Sequence, residues 1–259
     1  MIDFLLSLPT WAGCLVAMLT AAVVGLVVYL VSYKLITKYQ SHDLKDPITS
    51  LFRLVGLLVS LVLALAFSEV ISELKKIRTA VAQESVAISD IYEVLKLYDI
   101  ERTREIRAIL IDYTQAVIDD EWPALADNRL SRRVGALKRQ IVEAVINLKP
   151  TTPTKEVLLS HVLNDIDALS DHRILRLNSA LAGPPVYLYV IIFGFLITMA
   201  CFGVYRPQAP LVVLFSLYTI FVGLVLYLIL ALSDPFEGDI GVAPTVFEHL
   251  VETLQSEIR

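Results

Sequence analysis

The chain has 259 residues, 56% of them hydrophobic and 19% charged, where soluble domains carry about 45–50% and a quarter. Its formal net charge is −5, and both cysteines, Cys14 and Cys201, fall inside apolar blocks. These figures exclude a simple cytosolic globule, a disulfide-stapled secreted module and a cysteine-built metal cluster.

The first block, Trp11 to Tyr33, carries no charge. Some 20 helical residues at about 1.5 Å each cross a hydrocarbon core of roughly 30 Å, so the block is long enough to span. A cleaved signal peptide is the competing reading. The sequence has Asp3 and no Lys or Arg before Lys34, and the apolar run exceeds a signal h-region. Ala12-Gly13-Cys14 resembles a lipoprotein cleavage site only in part, because the long apolar stretch follows that cysteine. A retained transmembrane helix is expected.

The second block, Leu51 to Ile71, contains Arg53 and Glu69, with fifteen uncharged residues between them. Ionisable groups inside a span are functional candidates, but both lie near enough to its ends to reach the interface. A longer pattern starts here. Arg53, Gly56, Ser60, Leu63, Phe67, Val70, Leu74, Ile77, Val81, Glu84, Ile88, Ile91 and Leu95 follow one another in alternating steps of three and four. This is a heptad seam on one face of one helix, which over 51–98 would be on the order of 70 Å long. Two readings stay open. In one, the seam packs on the other spans and then on the helices of the polar domain. In the other it faces copies of itself around an axis. Arg53, Gly56 and Ser60 then line a pore, Leu63 and Phe67 form an apolar constriction, and Glu84 makes a charged ring in an extramembrane vestibule.

Residues 72–182 hold 16 of the 22 Lys and Arg and 17 of the 27 Asp and Glu. This balance gives no basis for a nucleic-acid partner. No Gly or Pro occurs between Gly56 and Pro123. Helical spacing recurs through Ile106, Ile109, Tyr113 and Val117, then Val134, Leu137, Ile141, Val145 and Leu148. A last run joins Leu158, Leu159, Val162, Ile166 and Leu169. No alternating strand pattern is present, so the segment reads as all-helical.

The third block, Val186 to Tyr205, and the fourth, Pro210 to Ser233, are separated by Arg206 and a Pro-Gln-Ala-Pro turn, as in a tight hairpin. Every proline lies outside the four apolar cores, and tyrosines crowd their ends, as an interfacial belt would. The expected fold is an all-α membrane protein with four spans and a helical domain inserted between the second and third. Its expected segments are 1–71, 72–182, 183–233 and 234–259, the last a tail with a short helix.

No phosphate loop, zinc-protease helix or nucleophile elbow is written in the chain, so no enzyme is expected. His161, Asp165 and His172 share a helical face with Asp171 beside them, which reads as a solvated face rather than a zinc site. No metal or cofactor is expected. The expected partners are the lipid bilayer, further copies of the chain and small inorganic ions.

The stretch from Leu226, LYLILALSDPFEGDIGVAPTVFEHLVETL, ends a span in Asp234-Pro235-Phe236 and continues through Gly238, Ile240, Val242 and Pro244. It resembles the ending of the bestrophin-like bacterial membrane proteins. Similar too are LALAFSEVISELKKIRTAVAQESVAI at the exit of the second span, and Arg173-Ile174-Leu175-Arg176-Leu177 with the Gly183-Pro184-Pro185 turn before the third. The resemblance covers about residues 50–100 and 170–250. It implies an oligomeric channel, a pentamer in bestrophins, with the second span around the pore, Leu63 and Phe67 at an apolar neck, and an anion ahead of a cation. It also implies a bacterial inner-membrane protein with the helical domain in the cytoplasm. The basic residues near the spans tie at five on each side and decide no orientation. Two departures stand out. Glu73-Leu74-Lys75-Lys76 replaces the tryptophan-rich segment of true bestrophins, and the compact acidic calcium-binding cluster of animal bestrophins is missing, so calcium gating is not carried over. A membrane-anchored helical scaffold or sensor without conductance is the alternative. An Asp-Pro step is also a natural way to stop a helix, which gives Asp234 a purely structural reading.

Overall fold

The computed structural model describes residues 8–38, 45–180, 186–236 and 241–256. Its elements are α1 (Thr10–Lys38), α2 (Lys45–Tyr98), α3 (Arg104–Ala116), a π-helical turn (Val117–Glu121), α4 (Trp122–Ala126), α5 (Arg132–Ile146), α6 (Pro153–Ala180) and α7 (Val186–Cys201). A short 3₁₀ turn (Phe202–Val204), α8 (Ala209–Ser233) and α9 (Thr245–Ser256) complete the order. No strand occurs among the described residues. Among the described residues, four helices are long and apolar enough to cross a membrane: α1, α2, α8, and α7 with its 3₁₀ turn.

The contacts divide the chain into two units, Met1–Leu74 with Gly183–Gly241, and Lys75–Ala182 with Val242–Arg259. The segment carrying α9 therefore belongs with the helical insert rather than standing as a tail of its own.

In the first unit, α1 lies against α8 and α7. Lipid tails are as apolar as leucine, so close packing, not water exclusion, has to hold such helices together. Gly13, Ala17, Ala21 and Gly25 recur every four residues on α1. A Cβ placed on Gly223 of α8 would stand 2.6 Å from the Ala21 Cβ and 2.7 Å from the Ala17 carbonyl oxygen. Backbone cannot yield as a side-chain tip can, so the helices touch here at the distance glycine allows. Tyr29, fully buried, donates from its hydroxyl to the Tyr205 carbonyl at 3.1 Å, and its ring lies 5.1 Å from that of Phe215. Gly223→Val is expected to destabilise this unit by about 1–3 kcal/mol, as overpacking does. Gly56→Ala, with nothing within 4 Å of the added carbon, should leave thermal stability in detergent unchanged or raised. Equal losses for the two would contradict the packing account.

The second unit is built on the later part of α2. There the seam residues Ile77, Val81, Ile88, Ile91 and Leu95 are all buried. Buried in the same unit are Leu110 and Tyr113 of α3, Val134 and Ile141 of α5, and Val162 and Ile166 of α6. Ser131 caps α5 by accepting from the Val134 N–H at 3.3 Å. Along the polar stretch, then, the seam is a core stripe within one chain.

Candidate functional site: the faces of the long helix

Within the first unit α2 presents three different faces. One is inward: Val59 and Ala66 are buried, and with Val55, Val62 and Leu63 they pack among Ile191, Phe195 and Val222. A second carries Leu51, Leu54, Leu58, Leu61 and Leu65, all exposed, in steps of three and four. Such a leucine ridge suits lipid tails. The third edge is chemically different. Arg53, Leu57, Ser60, Ala64 and Phe67 follow in steps of four and three and are all exposed, with Gly56 half-buried and Ser68 exposed beside them. The Ser60 hydroxyl donates to the Gly56 carbonyl at 2.7 Å, so the hydroxyl is satisfied by its own helix.

Arg53, Gly56, Ser60 and Leu63 come together along a groove of about 390 Å³ between α2, α7 and α8, lined on α8 by Tyr218, Phe221, Val222 and Val225. Phe67 lies outside it. A second hollow of about 380 Å³ shares Phe52 and Arg53 with the groove and reaches Thr49, Phe202 and Tyr205. The Thr49 hydroxyl and the Tyr205 phenol are 3.3 Å apart. Deeper in, the Thr198 and Tyr218 hydroxyls meet at 2.7 Å.

Glu84 is placed differently from the vestibule ring expected of it. Its side chain is wholly buried in the helical unit, and so is Arg176 of α6, which holds it in a two-pronged pair: Nε donates to Oε2 at 2.8 Å and Nη2 to Oε1 at 3.0 Å. The same Nη2 donates to Glu121 Oε2 at 2.8 Å, and Arg173 closes on Glu121 from its other side. The Tyr113 hydroxyl donates to Glu84 Oε1 at 3.3 Å. Two guanidinium groups thus meet two carboxylates, and the cluster is neutral. A charge committed in this way offers no field to a vestibule; the acid interrupting the heptad is an internal fastener.

The cluster shows in the titration of its members. Burial opposes the charge on Arg176, but the Glu84 carboxylate, with Glu121 behind it, outweighs that and raises its pKa above the ordinary arginine value. Burial first, and then the Glu84 charge, raise the Tyr113 phenol well above its usual value, so it remains a donor at neutral pH. The Arg176 guanidinium also stands 5.2 Å from the Trp122 ring centre and 5.9 Å from that of Phe247. Trp122 Nε1 donates to the Val242 carbonyl at 3.1 Å, and its ring meets Phe247 edge-on at 5.8 Å. Helix α9 is thereby attached to the same cluster.

Glu121 reaches it through the π-helical turn. Pro123 has no N–H to give to the carbonyl four residues back, and its ring crowds that carbonyl. The widened turn over Val117–Glu121 accommodates it, with the Trp122 N–H bonding to the Val117 carbonyl. The extra residue per turn leaves both Val117 and Glu121 buried.

At the end of α8, Asp234 leaves the helix in extended conformation, and its Oδ1 accepts from the Phe236 N–H at 3.4 Å. Phe236 is buried. The aspartate therefore serves as the turn-former its chemistry suggests. Gly238 and Ile240 of the same motif, and the Gly183-Pro184-Pro185 turn, lie outside the described residues.

This arrangement has counterparts among known proteins. A bacterial bestrophin homologue from Klebsiella pneumoniae, in a variant form, superposes with a TM-score of 0.70 at 14% identity, covering 94% of this chain and 98% of its own. A second crystal structure described in the same words, solved by zinc phasing, gives 0.69 at 13% identity, covering 93% and 97%. A further variant gives 0.66 at 15%, covering 93% and 99%. At these identities the likeness establishes the fold. No curated protein matches the chain. The model of the Bestrophin-like domain matches residues 9–247, nearly the whole length, and the chain belongs to the Bestrophin-like family.

Proposed function

We propose that this chain is one subunit of a homo-oligomeric ion channel whose pore is lined by the membrane part of α2. The observation that carries the reading is the third edge of that helix. Arg53, Ser60 and Phe67 recur every seven residues and are left uncovered by the chain's own helices, while the leucine ridge is a separate face. Arg53 stands near one end of the span, where a lipid-facing guanidinium has to reach for the interface and an axis-facing one meets water directly, so an edge bearing it suits a hydrated axis. Symmetry supplies the water: copies arranged around an axis bring these edges together. Family membership supports the same assignment, and the bestrophin resemblance supports five copies.

In this reading Arg53 is a positive ring near one mouth, Gly56 and Ser60 form a narrow polar wall, and Phe67, with the uncovered part of the half-buried Leu63, makes the apolar neck. A ring of arginines concentrates anions, and an apolar neck controls conduction by how readily it wets. The family supports placing the protein in the bacterial inner membrane with the helical unit in the cytoplasm. The test is reconstitution of the purified chain in liposomes loaded with halide. A flux above that of empty liposomes is expected. Its absence under all ion and pH conditions would favour a membrane-anchored scaffold instead.

A further inference from the structure

The run Glu73-Leu74-Lys75-Lys76-Ile77-Arg78 follows the membrane part of α2, and one helix of 54 residues carries both. Val59, Ala66, Val70, Ile77, Val81 and Ile88 are all buried, so one side of that helix stays covered along this length. Its other sides can then be followed at about 100° per residue. The uncovered edge of Arg53, Leu57, Ser60, Ala64 and Phe67 continues through the half-buried Ile71 to Lys75, Arg78 and Ala82, all exposed. Lys75 and Arg78 lie within about 40° of the direction of Arg53. Lys76 lies about 140° round, on the side of the leucine ridge, and Glu69 and Glu73 stand nearly opposite Arg53. Neither Lys75 nor Arg78 makes an ion pair among the described residues. The next acid on their side, Glu93, is about 22 Å further along and is paired with Lys96 at 3.8 Å.

We propose that Lys75 and Arg78 form a basic collar beyond the neck that fixes the sign of the permeant ion, so that this chain passes small inorganic anions and holds back cations. The inference rests on the channel reading, which supplies the axis, and adds to it the residues that choose the ion. Helix rise puts the collar about 12–17 Å from Phe67 on one side, and Arg53 about 21 Å from it on the other. The neck is thus bracketed by cations, with no carboxylate on that edge from Arg53 to Ala82. A lone lysine in open solvent is screened within about 8 Å at physiological salt. Copies around an axis change this. Two cations from each copy then face one another across a confined space walled by protein, and such a cleft focuses the field and raises the local concentration of counter-ions. An apolar neck has no charge of its own with which to choose between ions, so the choice falls to the charges at its mouths. Only the charge is used, so lysine and arginine are interchangeable here, unlike at a site that grips one anion with a planar fork.

The test uses the full chain in planar bilayers of neutral phosphatidylcholine under a potassium chloride gradient, with the chloride-to-potassium permeability ratio read from the reversal potential. That ratio does not depend on how much protein inserts. Chloride is expected to be favoured about tenfold, the lower end of what a focused field does to counter-ion concentration. Lys75→Gln with Arg78→Gln should bring the ratio toward parity, and Lys75→Glu with Arg78→Glu should turn it in favour of potassium. Both residues are exposed, so these variants should keep the Tm of the unaltered protein. Lys75→Arg with Arg78→Lys should keep the preference. Raising the salt from about 0.1 M to 1 M should erode it, as the screening length falls from about 10 Å to about 3 Å. Lys76→Glu, on the side of the leucine ridge, is the control and should leave the ratio unchanged. Parity in the unaltered protein, or a chloride preference that survives the double Glu variant, would overturn the collar. So would an equal shift from Lys76→Glu, because the charge would then act from the membrane surface and not from the axis. Absence of any current in the unaltered protein is a different result: the channel reading falls, and the collar with it.

Discussion

Arg176→Met should destabilise the helical unit by about 3–5 kcal/mol, the loss that follows when one partner is removed from a buried ion pair. The reason is the debris left behind. Glu84 and Glu121 would remain buried, the first with only the Tyr113 hydroxyl and the second with only Arg173. Thermal unfolding of the purified protein should show a fall in Tm on the order of 10–20 °C, or no folded protein at all. Arg176→Lys should be intermediate, because an ammonium keeps the charge but cannot span both carboxylates with a planar fork. The pairing of Arg176→Met with Glu84→Gln is the more telling variant. It removes one charge of each sign, keeps an oxygen for Tyr113, and leaves Arg173 on Glu121, so much of the lost stability should return. A double variant as unstable as the sum of its parts would show that Arg176 acts by packing on Trp122 and Phe247 rather than by charge.

The second large effect concerns the proposed neck. Phe67→Ala is expected to raise ion flux in liposomes several-fold, because shortening an apolar ring both widens the constriction and lets water fill it. Phe67 is partly exposed at 37%, so the substitution leaves little cavity inside the chain and should not lower Tm appreciably. Leu65→Ala, two residues away on the leucine ridge, serves as the control and should leave flux unchanged. If both substitutions alter flux alike, the effect comes from helix packing and the neck assignment fails.

Much of this molecule is legible in the sequence, and the illegible parts have physical causes. The four spans are visible because a bilayer demands length and apolarity, and both can be counted. The long helix is visible because the heptad runs unbroken from Arg53 to Leu95, with no proline and no glycine after Gly56 to interrupt it. The seam by itself is ambiguous, because a heptad states which residues share a face, not what covers that face. The structure answers by depth along the helix. From Val70 onward the seam positions are buried, while Arg53, Ser60 and Phe67 are not.

Glu84 shows the limit most clearly. An acid at a core position has two meanings, a charged ring on an axis or a buried partner, and only the second needs a cation elsewhere. That cation was within reach. Val162, Ile166, Leu169, Arg173 and Arg176 continue a single stripe on α6, so two arginines stand where core residues belong. A seam acid and two stripe arginines are complementary signals of one buried charge cluster. Glu121 offered no such clue, since it faces inward only because Pro123 widens the turn before it. The small-residue ladder of Gly13, Ala17, Ala21 and Gly25 was equally readable as a close-packing face, but apolarity alone had already accounted for that helix.

The central claim is that copies of this chain surround an axis lined by α2. Electron cryomicroscopy of the purified, detergent-solubilised protein tests it most directly, at a resolution sufficient to see helices as rods. The account predicts a ring of identical subunits, with the rod of α2 nearest the axis and its leucine ridge turned away. A monomer, or a ring in which α1 or α8 separates α2 from the axis, would contradict it.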